Sequence, residues 1–326
     1  MRKRFQGALL ALILLGGFPR GAEAQATFES AGERALGMAG AFVAVADDAS
    51  SSHWNPAGLA TGSPAGMTAG WLRSETGRGD APATSEARRI RSSFTSVGTW
   101  PLGVSFGRFE LTAIREGAGG ELTTETLKTT QYGATILQTV TQGLVVGSTF
   151  RYVRGEVVTA PSEGGSAEEA LSRTDDLEGE RTGAFDFDVG VMADMQRVRV
   201  GLTLKNLQSP TFGDVAVRQL TLPRQTRLGL ALLPTDGLTI AVDIDLETVD
   251  FVGDPHRMVA IGGEAHLGGR VLARSGVRWS IEGARRFVAA AGMSVALRRA
   301  FWLDGHYTQG RGGDDREFGV AVRAGL

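Results

Sequence analysis

Residues Ala184 to Asp194 alternate without a miss: Phe185, Phe187, Val189, Val191 and Ala193 fall on one face, and Asp186, Asp188, Gly190, Met192 and Asp194 on the other. A period of two belongs to a strand whose faces meet different surroundings, and no helix stripe repeats that way. The pattern recurs at Val198–Leu204, at Leu238–Leu246, at Phe287–Leu297 and in the closing row Phe318, Val320, Val322, Ala324 and Leu326. Rows of about ten residues have the length of a tilted strand crossing a bilayer. No later stretch is apolar enough for a spanning helix, so membrane insertion would require a closed β-barrel, which satisfies every backbone group internally.

Periodicity places strands near 66–73, 90–99, 103–114, 126–139, 143–158, 183–194, 197–206, 223–233, 237–248, 256–267, 270–279, 284–298, 300–309 and 316–326, fourteen in all. The connections alternate, long at Ser74 to Arg89, Arg115 to Glu125, Thr159 to Thr182 and Leu207 to Leu222, short between them. Long loops on one rim and short turns on the other are the habit of an outer-membrane barrel with both termini on the periplasmic side. The 46 glycines and only 10 prolines suit many strands with tight turns. A secreted β-sandwich shares this patterning. Nearly charge-free apolar rows and an apolar final strand, like the one barrel-assembly machinery reads, favour the membrane barrel embedded in outer-membrane lipid. Alternation stumbles at Gly107-Arg108, where a kink and a lateral opening are expected.

Arg2, Lys3 and Arg4, the apolar run Ala8 to Leu15, and Ala22-Glu23-Ala24 read as a signal peptide over 1–24. The chain has no cysteine, so neither a lipoprotein anchor nor a disulfide framework is available. A net charge of −2 with scattered Lys and Arg argues against nucleic-acid binding.

Between signal and strands lies Gly32 to Ala60, GERALGMAGAFVAVADDASSSHWNPAGLA. Asp47 and Asp48 offer acceptors to a short helix start, and Asn55-Pro56 turns the chain out of helix. The run Ala35 to Ala49 followed by Trp54-Asn55-Pro56-Ala57-Gly58-Leu59 resembles the N-terminal signature of FadL/PorV-like outer-membrane proteins. That resemblance implies an all-β, 14-stranded antiparallel transmembrane barrel over 66–326 with an N-terminal plug over 25–65 inside its lumen. It places Asn55, Pro56 and Ala57 at the plug tip, with Asp47, Asp48 and Arg34 as plug or gate residues. It also implies passage of fatty-acid-like hydrophobic molecules or, in the PorV manner, binding of secreted proteins through polar loops.

The charges expected to face the lumen, including Asp186, Asp188, Arg199, Lys205, Asp243 and Asp245, are mixed in sign. They suit pairing across strands and with the plug rather than a one-sign selectivity ring. The pairs Asp186/Asp188 and Asp243/Asp245 also have the chemistry of a divalent-cation site. Ser294, Asp304 and His306 contain the pieces of a hydrolytic triad, but nothing in their spacing marks them. No cofactor, metal or catalytic role is expected. Arg78-Gly79-Asp80 has the look of an adhesion tripeptide arising by chance.

Overall fold

The computed structural model describes residues 28–77, 82–84, 87–117, 120–162, 165–214, 218–251, 254–283, 286–298, 300–311 and 315–325. The signal peptide over 1–24, Arg78-Gly79-Asp80 and Leu326 lie outside the described residues. Seven strands come first: β1 (Ala65–Thr76), β2 (Arg88–Thr99), β3 (Leu102–Glu116), β4 (Leu122–Thr141), β5 (Leu144–Pro161), β6 (Arg181–Asp194) and β7 (Val198–Lys205). A small hairpin, β8 (Thr211–Phe212) and β9 (Leu220–Thr221), interrupts the series. Then follow β10 (Gln225–Thr235), β11 (Leu238–Asp245), the short β12 (Val249–Phe251), β13 (Asp254–His266), β14 (Val271–Gly283), β15 (Phe287–Arg298), β16 (Phe301–Gly310) and β17 (Asp315–Gly325).

Each wall strand pairs antiparallel with its neighbours, and the pairings of β1 with β17 and β11 with β13 close the ring. Fourteen strands make the wall, in the order that periodicity places them. Polarity settles which side faces what. Leu228, Leu230 and Leu232 on β10, Ile240 and Val242 on β11, and Val320 and Val322 on β17 point outward and are exposed, and Phe185 is 78% exposed. Asp186, Asp188, Arg227, Asp243 and Asp304 point inward and are buried. Apolar outside and charged inside is the inverse of a soluble sandwich and matches a wall in lipid.

β3 runs without a break. Its ladders with β2 and β4 stay in register through Gly107 and Arg108, so the expected kink is absent. Alternation falters there for a different reason. A Cβ built on Gly107 would lie 2.8 Å from Cζ of Phe109, so glycine makes room for the neighbouring ring. β4 starts at Leu122, four residues before the alternation becomes legible, because Thr124 and Thr126 are held by the 162–180 loop rather than by lipid.

Residues 28–64 run inside the wall. Turns at Phe28–Ser30 and Pro56–Ala60 flank two short helices, α1 (Glu33–Gly37) and α2 (Ser51–Trp54). The predicted α2 is present. Asp48 accepts hydrogen bonds from Ser50 N at 2.8 Å and from Ser50 Oγ, and Asn55 leaves helix at φ −154°, ψ 103°. α1 is a second short helix, in the apolar stretch before α2. Trp54 anchors the segment, fully buried against Phe28 and Phe42, with Nε1 donating to Ala31 O at 2.8 Å.

The segment circles the lumen with its backbone against glycines of the wall. Gly37 meets Gly292, Met38 meets Gly262 and Gly276, Val43 and Ala44 meet Gly201 and Gly229, and Asn55-Pro56-Ala57 meets Gly147 and Gly190. A Cβ on Gly262 would lie 2.8 Å from Met38 Cβ, and one on Gly229 2.8 Å from Ala44 N, closer than real Cβ atoms come. Gly262→Val is therefore expected to unseat the segment at a cost of about 1–3 kcal/mol. Denaturant midpoints and protease cleavage within 28–64 check this, with outward-facing Gly305→Ala, whose nearest atom is 3.8 Å away, as the unaffected control.

Candidate functional site

Arg34 on α1 ties the segment to the wall. Its Nε and Nη2 donate to the two oxygens of Glu264 on β13 at 2.8 and 2.7 Å, and Nη1 reaches Asp48 at 3.2 Å and, more closely, Asp47. Such a fork matches carboxylate geometry. Glu264 also accepts from Arg274 Nε at 2.5 Å. Burial pushes the Asp48 carboxyl up, but Arg34 and Arg323 outweigh it and hold it below the usual carboxylate range.

The other lumenal charges are paired as the sequence suggests, with partners it did not reveal. Arg151 on β5 donates to both Asp186 and Asp188 at 2.6 Å, so a guanidinium occupies the place where a cation was conceivable. Asp243 accepts the amides of Phe42 and Val43 at 2.9 and 2.8 Å, and Asp245 accepts Arg227 Nε at 2.7 Å. Arg199 bridges Asp194 at 2.8 Å and Asp47 at 3.7 Å. Lys205 Nζ lies 3.1 Å from His53 Nε2 and 4.7 Å from the Phe28 ring centroid. Burial and then Lys205 drive His53 well below its ordinary pKa, leaving it neutral. Among the described residues no group of His, Asp or Glu is arranged to hold a metal. Ser294 donates to Asp304 and receives Arg274, while His306 faces Glu317 at 3.4 Å, so Ser294, His306 and Asp304 form no relay.

The register places Asn55-Pro56-Ala57 near the short-turn rim. Gly147 is close to the start of β5 and Gly190 close to the end of β6, and Asn55 Nδ2 donates to Val43 O at 2.8 Å and Val191 O at 3.1 Å. The end of the segment toward the long loops is Phe28–Ser30. There Glu29 accepts from Arg227 at 2.8 Å, and Ser92 Oγ donates to Ser30 O. Burial raises the Glu29 carboxyl, but Arg227 and Arg278 prevail and bring it to about 2. The residues expected at the plug tip thus lie toward the short-turn rim.

Above the segment residues 206–214 and 218–224 fold inward. Phe212, Leu220 and Leu222 pack on the inward side chains Leu111, Leu127 and Val153. Their isolation in a polar loop was the available signal. The 162–180 connection instead lies on the outer wall. α3 (Ala167–Ser172), capped by Ser166 and Glu169, packs Ala167, Ala170 and Leu171 on Ile114 and Ala87, and Arg91 holds Asp175 at 3.1 Å.

Two clefts among the described residues lie on the β1, β16 and β17 side. The upper, about 80 Å³, mixes Ile90, Met258 and Val288 with Glu29, Arg278 and Glu317. The lower, about 200 Å³, opens toward the short-turn rim among Asp48, Leu59, Ser63, Gly66 and Arg323. Between them on β1 stand Thr68, Gly70 and Leu72, and on β17 Gly319 and Ala321, so the wall is made largely of small residues. Glu33 fills the notch at Gly70, where a Cβ would lie 2.7 Å from its Cδ, and His306 fills that at Gly319. Burial, then Asp304, Asp48 and Glu317 against the opposing backbone hydrogen bond, raise the Glu33 carboxyl to about 8.

Residues 121–245 match a family described as "F plasmid transfer operon, TraF, protein", well under half of the chain. No curated protein matches the sequence. Among solved structures, the Ralstonia pickettii toluene transporter TbuX is 13% identical with a TM-score of 0.61, covering 92% of this chain and 99% of that one. The monoaromatic hydrocarbon channel CymD is 12% identical at TM-score 0.61, covering 90% and 95%. A Pseudomonas aeruginosa FadL homologue is 12% identical at TM-score 0.58, covering 89% and 97%. The chain is similar to these in fold, the fourteen-stranded FadL-type barrel.

Two outcomes follow from the pairing. Arg34→Ala removes the partner shared by buried Glu264 and half-buried Asp47 and Asp48, leaving Glu264 to Arg274 and Asp47 to Arg199, and should cost up to about 3 kcal/mol, read from denaturant midpoints, with Arg34→Lys intermediate. For Glu33 the folded pKa lies above the unfolded value, so the segment is held best below about pH 4.5 and progressively less as pH rises toward 8. Protease accessibility of 28–64 across that window checks the sign, and Glu33→Gln should flatten the dependence.

Proposed function

We propose that this chain is an outer-membrane barrel that takes small hydrophobic molecules from the long-loop side and passes them along the β1–β16–β17 wall. The observation that carries the reading is the pair of clefts on one side of the lumen, separated by two side chains seated in glycine notches. The fold shared with a toluene transporter and a monoaromatic hydrocarbon channel supports it.

In this reading the segment 28–64 is a fixed plug. Its backbone seats on wall glycines, its charges are paired at Glu264 and Arg227, and its Phe42 and Val43 amides donate to Asp243, so displacing it whole would break all of these together. The moving parts are Glu33 and His306. At neutral pH Glu33 is uncharged, so its swing away from Gly70 drags no ion through the lumen and leaves a passage lined by Gly70, Gly319 and Ala321. Ile90, Met258 and Val288 receive the apolar solute first.

A second reading, an accessory barrel that binds exported proteins through its polar loops, draws on the lumen being occupied by the plug below and the 206–224 hairpin above. It expects exported proteins to copurify with the wild type and not with a chain lacking residues 167–177.

Liposome uptake of a labelled monoaromatic probe tests the passage. Glu33→Ala should raise the rate severalfold, and Gly319→Val should lower it to that of protein-free vesicles. Equal uptake by wild type, both variants and protein-free vesicles would sink the channel reading.

A further inference from the structure

On the outer wall, β3 and β5 each change character within one step. Along β3, outward residues run Leu102, Val104, Phe106 and then Arg108; along β5, Phe150 and Tyr152 lead to Arg154. Phe106 pairs with Tyr132 and Tyr152 with Phe185, forming a patch of the aromatic belt that marks a bilayer interface. Each arginine stands two residues beyond its aromatic toward the long loops, about 7 Å further along the strand. That step leads from the aromatic belt toward the lipid headgroups.

Register sets the two arginines in one row, with Arg108 opposite Thr130 and Thr130 opposite Arg154, about 10 Å apart across two strand spacings. Among the described residues neither has an acidic partner, and the Arg108 guanidinium lies 5.5 Å from the Phe106 ring centroid. The row above is different. Arg91 pairs with Glu110 and Asp175 at 3.1 Å, and Lys128 Nζ donates to Leu177 O at 2.9 Å, so those cations hold the 162–180 connection against the wall. Beside Arg108 the outer wall carries a hollow of about 290 Å³ lined by Trp71, Ser93, Arg108 and Thr130, with Lys128 and the paired Arg91 and Glu110 at its upper side. Arg91 neutralises Glu110 there, so Arg108 is the cation the hollow leaves without an acidic partner among the described residues, set beside the Ser93 and Thr130 hydroxyls and the Trp71 indole.

We propose that this hollow and Arg154 beside it bind the phosphate groups of a phosphorylated lipid headgroup, with Arg108 and Arg154 as the primary contacts. Charge complementarity carries the assignment. Two unpaired guanidiniums turned toward the membrane at this depth meet phosphate before water, and arginine takes phosphate oxygens in a two-pronged grip that lysine does not. Ser93 and Thr130 supply neutral donors between them. The clasped 162–180 connection roofs the row and fixes how far down the headgroup sits.

Native mass spectrometry of the full chain in nonionic detergent tests this with bis-phosphorylated lipid A as probe, fully dephosphorylated lipid A as comparator and excess inorganic phosphate as competitor. Wild type should retain the phosphorylated lipid. The double variant Arg108→Ala/Arg154→Ala should bind it about thirtyfold more weakly. Arg108→Lys/Arg154→Lys, which keeps the charge but loses the two-pronged grip, should fall between the two, and Arg270→Ala, at a turn on the opposite rim, should be unchanged. Equal retention by the double alanine variant, equal binding of the dephosphorylated lipid, or complete displacement by inorganic phosphate would each overturn the proposal.

Discussion

A β-ladder that closes on itself must put something inside. Pairing β11 with β13 and β1 with β17 removes every free edge from the wall, and the apolar outer rows commit that face to lipid. The inner face then carries everything lipid cannot hold, including Asp186, Asp188, Arg227, Asp243, Glu264 and Arg274, packed too tightly for bulk water to solvate them. Buried charge needs counter-charge or hydrogen-bond donors. The segment 28–64 supplies both: Arg34 for Glu264, Glu29 for Arg227, and the Phe42 and Val43 amides for Asp243. Wall and filling are one electrostatic unit, and the glycines let them approach.

The wall was legible because a two-residue period survives wherever lipid lies on one side. It faded where lipid is replaced by protein. Thr124 and Thr126 point outward yet bond to Ala170 O and Thr174, so the first turn of β4 reads as polar loop. Gly107 reads as a defect for the same kind of reason, since its neighbour is the Phe109 ring rather than a methyl. Local pattern records the surroundings of a residue, and these two sites have unusual ones.

The interior was legible in kind but not in partner. Arg34, Asp47 and Asp48 do meet, and Asp243 does face the segment, but Arg151 between Asp186 and Asp188 comes from a strand more than thirty residues earlier, beyond any spacing argument. Which rim Asn55-Pro56-Ala57 approaches was not legible, because a resemblance transfers order along the chain and not height along the barrel axis. Glu33 went unremarked as a constriction, because its importance depends on the absence of a side chain at Gly70.

The segment that fills the lumen touches strands from both ends of the chain. Arg34 reaches Glu264, 230 residues away, and Gly37 rests on Gly292 of β15. Those seats do not exist until the last strands are laid down, so a part of the chain made before the wall cannot finish seating until the wall closes. Until then its apolar residues and Arg34 have no home, and a wall closing without them would trap its inner carboxylates unpartnered. Closure and filling are therefore a single event with very long loops to close. A barrel of this design is put together around its contents, in the way a hoop is drawn tight over staves already in contact with their load.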